Sequence, residues 1–261
     1  MTRSASALSL LRRWVNDYFN RHGDEAARAF IAPEYALHIG DVEFRGRDES
    51  WLPAVAGQMR LFPGLGMTVH QTLAGPNWAA ACFSEHGASN GRVACWSGVA
   101  IYFSDGERLT RCIAQEDYQT RQRQLKSGVA DSVDPPAAAP WDVAPRPRDE
   151  AAEAAVWRWL KGSWLAQDVR CDDEHITREP LRFEVRDVEI DTLLSSGSDV
   201  VFHARQSGAY LGGLPGGETV GGVASLHVNG LVRVEGGRIR AGRVIRDRAG
   251  LRAVLRKGAK T

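Results

Sequence analysis

The spacing of hydrophobic positions changes along the first half of the chain, and each change predicts an element. Leu8, Leu11 and Val15 recur at helical spacing, which predicts an opening helix. "DEAARAFI" predicts a second short helix, and "EYALHIG" then alternates as a strand does. "SWLPAVAGQMRLFPGL" predicts a third helix that stops at Pro63. Helices therefore dominate the opening part of this half.

Four runs rich in β-branched and aromatic residues follow, and turn signals separate them. They are "MTVHQTLAG", "WAAACFSEHG", "RVACWSGVAIYFS" and "RLTRCIAQEDY". Asn90-Gly91 and Asp105-Gly106 are typical of tight hairpins. Helices first and an antiparallel meander afterwards predict an α+β fold with helices packed on one face of a curved sheet.

The second half repeats this plan in a shorter form. "EAAVWRWLKGSWLAQ" predicts an opening helix. Four strands are predicted in "LRFEVRDVEIDTLL", "DVVFHARQSGAYLGG", "TVGGVASLHVNGLVRVEG" and "RIRAGRVIRD". The middle helices are predicted to be shortened or missing between Asp172 and Pro180.

A proline-rich segment separates the two halves. Five prolines lie between residues 127 and 149, and proline at that density fixes φ and removes backbone donors. The sequence therefore predicts a first domain at 1–126, an extended, semi-rigid linker at 127–149 and a shortened second domain at 150–261.

Charge and cysteine content narrow the class of protein. The formal net charge is +1, so no charge excess predicts a nucleic-acid or membrane partner. No apolar run reaches the ~18–20 residues that span a bilayer, and Arg12 and Arg13 argue against a signal peptide. The four cysteines form no CxxC pair, so we expect buried free thiols and a cytoplasmic location.

One sequence pattern occurs in both halves, at a separation of 130 residues. "DGERLTRCIAQED" ends at Asp117, and "EGGRIRAGRVIRD" ends at Asp247. Strand alternation places Arg111 on one face with Asp117, and Arg243 on one face with Asp247. The repetition predicts a duplicated domain.

These stretches, together with "YALH", "FRGRDE", "LFPGL" and "FSEHG" in the first half and "RQSGAYLGGLPGGETVGG" in the second, resemble the SnoaL-like polyketide-cyclase branch of the nuclear-transport-factor-2-like superfamily. The resemblance implies two tandem cone-shaped α+β barrel domains, paired as an intrachain pseudo-dimer or as a homodimer. It also implies a small-molecule substrate and no cofactor. The seven histidines are scattered and form no HxH or HExxH motif, so we expect no metal site. Asp117 and Asp247 would line the cavity mouth as general acid/base groups. The alternative is that each aspartate caps the helix that follows it.

Further candidate residues come from aligning the two halves by hand. Placing Gly208 on Gly87 sets His203 opposite Cys82, and aligning the last strands sets His227 opposite Ser97. We expect His203, His227 and Tyr210 to converge with Asp247 on one cavity, as a donor and a base do in dehydratases and isomerases.

The predicted substrate-binding residues are mostly aromatic or cationic, and each has a structural alternative. The tryptophans can equally pack as core, and the histidine can be a satisfied rim residue. The acidic cluster at 172–175 is interpreted as solvated surface, and the glycine-rich stretch at 212–222 as a hairpin loop or flap. The substrate-binding candidates are His38, Trp14, Tyr18, Trp157, Arg243 and Arg111.

Three functions compete at this point. The first is a cofactor-free cyclase, isomerase or dehydratase that uses a cavity aspartate. The second is a non-catalytic protein that binds a small molecule or acts as a scaffold. The third is an epoxide hydrolase, which needs an Asp–Arg–Asp network around a water.

Overall fold

A computed structural model describes residues 6–162, 169–216 and 220–258 of the chain. The chain divides into two compact units. The first comprises Met1–Ala114 and Arg121–Arg146, and the second comprises Gln115–Thr120 and Pro147–Thr261. Most of the predicted linker therefore belongs to the first unit.

The opening helices of the first unit precede the four strands of its antiparallel meander, as predicted. Ser6 begins the first helix by accepting a hydrogen bond from the N–H of Ser9 at 3.1 Å. Helical backbone continues as far as Arg21 and ends at His22 in the left-handed conformation. The helices are α1 (Ala7–Arg13), α2 (Asp24–Phe30) and α3 (Leu52–Leu61), and α4 (Tyr118–Ser127) follows the last strand.

The first unit contains a six-stranded sheet in the order β2-β1-β6-β5-β4-β3. The first strand runs parallel to the last, so the sheet is mixed rather than wholly antiparallel as predicted. The two end strands, β2 and β3, leave the sheet open. The strands are β1 (Ile31–Ile39), β2 (Val42–Arg45), β3 (Gly66–Ala74), β4 (Trp78–Ser89), β5 (Arg92–Ser104) and β6 (Leu109–Glu116).

Aromatic side chains fill the helix-covered face of this sheet. Tyr102 on β5 lies 5.5 Å from Trp14, between ring centroids. Trp51 lies 5.2 Å from Tyr18 and 5.1 Å from Tyr35. Large apolar rings of this kind contribute most of the burial in a small core. Residues that alternate with this set lie on the opposite face, which we call the outer face.

The second unit has a five-stranded sheet in the order β7-β11-β10-β9-β8. Its helices are α5 (Glu150–Lys161), α6 (Glu174–Thr177) and α7 (Arg248–Gly258). Its strands are β7 (Val169–Cys171), β8 (Arg182–Ser196), β9 (Asp199–Gly212), β10 (Val223–Glu235) and β11 (Arg238–Arg246).

The two sheets share one topology, which bears out the prediction of a repeated α+β plan. Strand β7 runs parallel to β11, just as β1 runs parallel to β6. The order β7-β11-β10-β9-β8 then matches β1-β6-β5-β4-β3 strand for strand. The described part of the second unit has only the one-turn α6 between β7 and β8, where the first unit has β2 and α3. The expected shortening is therefore present.

The core of the second unit lies between its sheet and helices α5 and α7. Val156 of α5 and Leu251 of α7 belong to the same buried cluster as Val200, Phe202 and Ala204 of β9. Strand alternation places the residues between these β9 positions on the outer face. The end of the predicted opening helix and Trp164 lie outside the described residues.

The proline-rich segment packs on the edge strand of the first sheet. The N–H of Ala137 donates to the carbonyl of Val69 at 3.0 Å. The imidazole of His70 contacts the carbonyl of Pro135 at 2.9 Å. An uncovered edge strand would present unpaired backbone groups to other chains, so this packing protects β3.

Two smaller expectations concern cysteines and membranes. All four cysteines are buried and none of them forms a disulfide, as predicted. Among the described helices, none has the length and hydrophobicity to cross a membrane.

Candidate functional site

Two histidines meet on the outer face of the second sheet. His203 on β9 pairs with Asn229 on β10, and His227 on β10 pairs with Arg205 on β9. The two histidines are therefore diagonal neighbours on one face. Nε2 of His203 lies 3.2 Å from Nδ1 of His227, and the rings are nearly parallel at 5.5 Å between centroids. The register thus creates a hydrogen-bonded imidazole pair.

A β-bulge brings a carboxylate to the other side of His203. The register between β8 and β9 shifts between Ile190 and Thr192, so Asp191 is the extra residue. Bulges redirect a side chain from its regular alternation. Here Oδ2 of Asp191 lies 3.0 Å from Nδ1 of His203, at ion-pair distance but without hydrogen-bond geometry. The result is a chain of three groups, Asp191–His203–His227.

The three groups Asp191, His203 and His227 differ in their exposure to solvent. The Asp191 side chain is 42% exposed, His203 is 7% exposed and His227 is half-buried. The middle imidazole is therefore shielded, while both ends reach towards solvent. A proton can be held between two such imidazoles, because neutral imidazole offers one donor and one acceptor.

Tyr210 does not join the histidine pair. β9 pairs without a break from Asp199 to Ala209, and Tyr210 lies seven positions after His203, so the two residues face opposite ways. Tyr210 belongs to the buried core, and its hydroxyl accepts a hydrogen bond from the N–H of Leu214 at 2.9 Å. The expected convergence on one cavity is therefore wrong for Tyr210.

Asp247 follows β11, and its main chain is tied to the histidine pair. Its N–H donates to the carbonyl of His227 at 2.9 Å. Its carboxylate accepts from the N–H of Gly250 at 2.8 Å, which caps helix α7. The capping alternative for Asp247 is therefore present in the structure.

Asp117 caps helix α4 and also pairs with an arginine. Its carboxylate accepts from the N–H and the hydroxyl of Thr120 at 3.1 and 2.6 Å. Nη2 of Arg248 lies 2.6 and 2.7 Å from its two oxygens. Asp117 is 2% exposed, and burial raises its pKa while Arg248 opposes that rise.

Arg248 lies in a buried ion network rather than on a solvated surface. Its Nη1 is 2.7 Å from Asp173, and its Nε is 3.4 Å from Asp172. Arg246 donates through Nε to Asp172 at 2.7 Å and also pairs with Glu174. The prediction that 172–175 is solvated surface is wrong for Asp172 and Asp173, because both carboxylates are buried against arginines.

Trp14 and Tyr18, predicted to bind substrate, lie inside the aromatic core of the first unit. The indole N–H of Trp14 and the hydroxyl of Tyr18 are buried and have no hydrogen-bond partner among the described residues. Burial, with a smaller effect from Asp24, holds the pKa of Tyr18 well above its usual range. The Tyr18 hydroxyl therefore stays protonated and can only act as a neutral donor or acceptor.

Two of the other predicted substrate-binding residues lie in the first unit and two lie in the second. His38 lies 3.8 Å from Glu43, and burial lowers the pKa of its imidazole. The Arg111 guanidinium lies over the ring of Phe103 at 4.9 Å. Trp157 is 47% exposed on α5. Arg243 pairs in register with Leu231 on β10. The predicted flap at 212–222 includes residues 217–219, which lie outside the described chain.

Sequence reasoning missed Asp191. The run "EIDTLL" alternates up to Asp191 and then places Leu193 and Leu194 side by side. A break in alternation of this kind is the signal of a bulge. The alignment of the two halves, which selected both histidines as candidates, agrees with the strand register. His203 pairs with Asn229 in the second unit as Cys82 pairs with Val99 in the first.

Comparison with family models finds no match, and comparison with curated proteins finds none either. Comparison with solved structures gives matches that each cover about half of this chain. Wild-type IdmH of Streptomyces antibioticus, described as "a putative polyketide cyclase", is 20% identical, with 45% of this chain and 96% of its own covered at a TM-score of 0.41. A "putative polyketide cyclase" of Acidithiobacillus ferrooxidans is 21% identical, with 49% and 100% covered at 0.43. A "putative SnoaL-like polyketide cyclase" of Jannaschia sp. CCS1 is 11% identical, with 49% and 96% covered at 0.42.

Proposed function

We propose that the protein is a cofactor-independent acid/base enzyme, and that the pair of His203 and His227 moves the proton. The observation that carries the proposal is the 3.2 Å contact between Nε2 of His203 and Nδ1 of His227. Imidazole changes charge near neutral pH, so a positioned pair can both accept and return a proton. The substrate class, a small apolar or polyketide-like molecule, follows from the sequence resemblance described above.

The contacts favour one distribution of protons. With the Nδ1 proton of His203 towards Asp191, its Nε2 accepts a hydrogen bond from the Nδ1–H of His227. Nε2 of His227, on the half-buried ring, then has a lone pair and serves as the base.

The proposed reaction starts at a carbon next to a carbonyl. His227 removes a proton from that carbon, and the electron pair of the C–H bond becomes an enolate. In a cyclisation the enolate carbon bonds to a second carbonyl carbon, and the resulting alkoxide takes the proton back from His227. In an isomerisation the proton returns to a different carbon. General acid/base catalysis of this kind contributes about 10²–10⁴-fold to a rate.

The aspartates have structural roles in this proposal. Asp117 and Asp247 hold the first turns of α4 and α7, and the reaction does not use their carboxylates. The proposal therefore replaces the cavity aspartate expected from the resemblance with the imidazole pair.

A proton-exchange assay tests the proposal directly. β-Diketones and aromatic poly-β-ketones are incubated with the protein in D₂O, and loss of the α-proton signal is followed by NMR. We expect His227→Gln to slow exchange by about 100-fold or more, whereas Ser97→Ala, at the matching position of the first unit, leaves it unchanged. Equal exchange by His227→Gln, or loss of exchange in Asp247→Asn alone, would contradict the assignment.

A protein that only binds ligands would give a different result. Calorimetry would then detect binding of panel compounds while no variant, including the wild type, catalysed exchange. The unpartnered donors of Trp14 and Tyr18 in the first unit would be the place to look for that ligand, because a buried polar group without a partner costs about 1–3 kcal/mol.

Epoxide hydrolysis is a second candidate that one observation favours. Arg248 lies between Asp117 and the pair Asp172 and Asp173, which supplies an Asp–Arg–Asp arrangement. These side chains are at most 5% exposed, so a substrate would have to displace part of the network. Diol formation from a panel of epoxides that is lost in Asp172→Asn would support this candidate over the imidazole pair.

A further inference from the structure

We infer that Asp191 is a positioning residue, which holds His203 in the tautomer that carries its proton on Nδ1 and so leaves Nε2 to accept from His227. The catalytic consequence of this inference rests on the proposed function, but the positioning itself does not. Three observations carry it: the bulge, the contact between Asp191 and His203, and the recurrence of the bulge in the other unit.

The bulge accounts for the direction of the Asp191 side chain. Ile190 pairs with Ala204, and the next pair along is Thr192 with His203. Two residues of β8, Asp191 and Thr192, therefore oppose the single residue His203. In a regular strand, one of any two consecutive residues would face the helix-covered core. The extra residue lets Asp191 turn to His203 while Thr192 keeps the pairing.

The contact determines the tautomer through electrostatics. A carboxylate 3.0 Å from Nδ1 of His203 favours a proton on that nitrogen, because the alternative places two lone pairs against each other. His203 is 7% exposed, so water competes little for the same proton. The opposite ring nitrogen, Nε2, then must be the acceptor in the contact with His227.

The first unit has the same bulge with different chemistry. The register between β3 and β4 shifts between Val69 and Gln71, so His70 is the extra residue there. Gln71 pairs with Cys82 as Thr192 pairs with His203. His70 contacts the hydroxyl of Ser84 at 2.9 Å. The bulge therefore belongs to the shared fold, while the carboxylate at this place belongs to the second unit.

NMR of histidine ring nitrogens measures the tautomer without any substrate. Protein labelled with ¹⁵N-histidine is recorded near pH 8, where imidazoles with ordinary pKa values are neutral, and the His203 signals are identified by their loss in His203→Gln. We expect wild-type His203 to be protonated on Nδ1. In Asp191→Leu, which has no acceptor, we expect the Nε2-protonated form to rise to half or more. Asp191→Asn keeps an acceptor and should restore most of the Nδ1-protonated form.

Controls and activity separate this inference from the proposed function. Asp187→Leu, an exposed carboxylate on the same strand, should leave the His203 signals unchanged. With an exchange substrate in hand, Asp191→Leu should lower kcat by about 10- to 100-fold with little change in KM, and Asp191→Asn should recover part of that loss. An unchanged His203 tautomer in Asp191→Leu would overturn the inference. A changed tautomer in a protein that exchanges no substrate would uphold Asp191 and contradict the proposed function.

Discussion

Both units contain the same β-bulge, but the residues at the bulge and around it differ. In the first unit the bulge residue His70 contacts Ser84 and the carbonyl of Pro135. In the second unit the bulge residue Asp191 contacts His203, which in turn contacts His227. One bulge therefore ties a strand to the proline-rich segment, while the other supports a proton-carrying pair. The repeated fold thus supplies the same backbone geometry twice, and a few side chains determine what that geometry does.

Removal of the middle imidazole, His203, should separate the two units most strongly. We expect His203→Gln to reduce kcat for an exchange substrate by about 100-fold or more, because the contact between the two imidazoles and the ion-pair contact with Asp191 are then both lost. Cys82→Ser changes the matching position of the first unit and should leave kcat within about twofold. Steady-state kinetics measures both, and equal losses in the two variants would contradict the difference between the units.

The second largest effect should come from the buried ion network. Arg248→Met leaves Asp117, Asp172 and Asp173 without a common counterion, which should reduce the free energy of unfolding by about 3–5 kcal/mol. Urea unfolding, read from hydrogen exchange of β10 and β11 amides, measures the loss. The control Arg256→Met removes an exposed arginine of the same helix and should change stability by less than about 0.5 kcal/mol. A loss below 1 kcal/mol for Arg248→Met would show that the network contributes little.

The two capping aspartates, Asp117 and Asp247, should differ in how much each contributes to the free energy of unfolding. Asp247→Ala removes a cap and should cost about 1 kcal/mol in the free energy of unfolding. Asp117→Ala removes a cap and a partner of buried Arg248, so it should cost about 3 kcal/mol. Chemical denaturation compares the two variants. The reverse order would mean that the Asp117 pair is offset by the cost of burying its charge.

The smallest effect concerns pH. Burial, and then the neighbouring His70, lowers the pKa of His86, so the folded state favours the neutral imidazole. The corresponding stability is present above the ordinary histidine value of about 6.5 and is lost as pH falls from there through the lowered pKa. Unfolding measured at about pH 7.5 and pH 5.5 should therefore show a smaller drop for His86→Gln than for the wild type. Ser207→Ala, at the matching place in the second unit, should keep the wild-type drop.

Much of the fold could be predicted from local patterns. Opening helices, strands and their turns follow from the spacing of residues such as Leu8 and Val15 and from signals such as Asn90-Gly91. The parallel pairing of β1 with β6 could not, because hairpin signals describe only strands that are adjacent in sequence. The placement of Tyr210 away from His203 was within reach of the sequence, since seven positions along an unbroken strand end on the opposite face.

The sequence alone established that the second half repeats the plan of the first, that a proline-rich segment follows the first half, and that His203 and His227 align with Cys82 and Ser97 of the first half. Only the tertiary structure shows which carboxylate contacts the histidine pair. Asp191 reaches His203 through a one-residue register shift, and Asp172 reaches Arg246 across 74 positions of sequence. Both contacts depend on how strands meet and how charges are buried together. The broken alternation after Asp191 signals a bulge, but no local pattern in the sequence identifies His203 as the partner of Asp191 or Arg246 as the partner of Asp172.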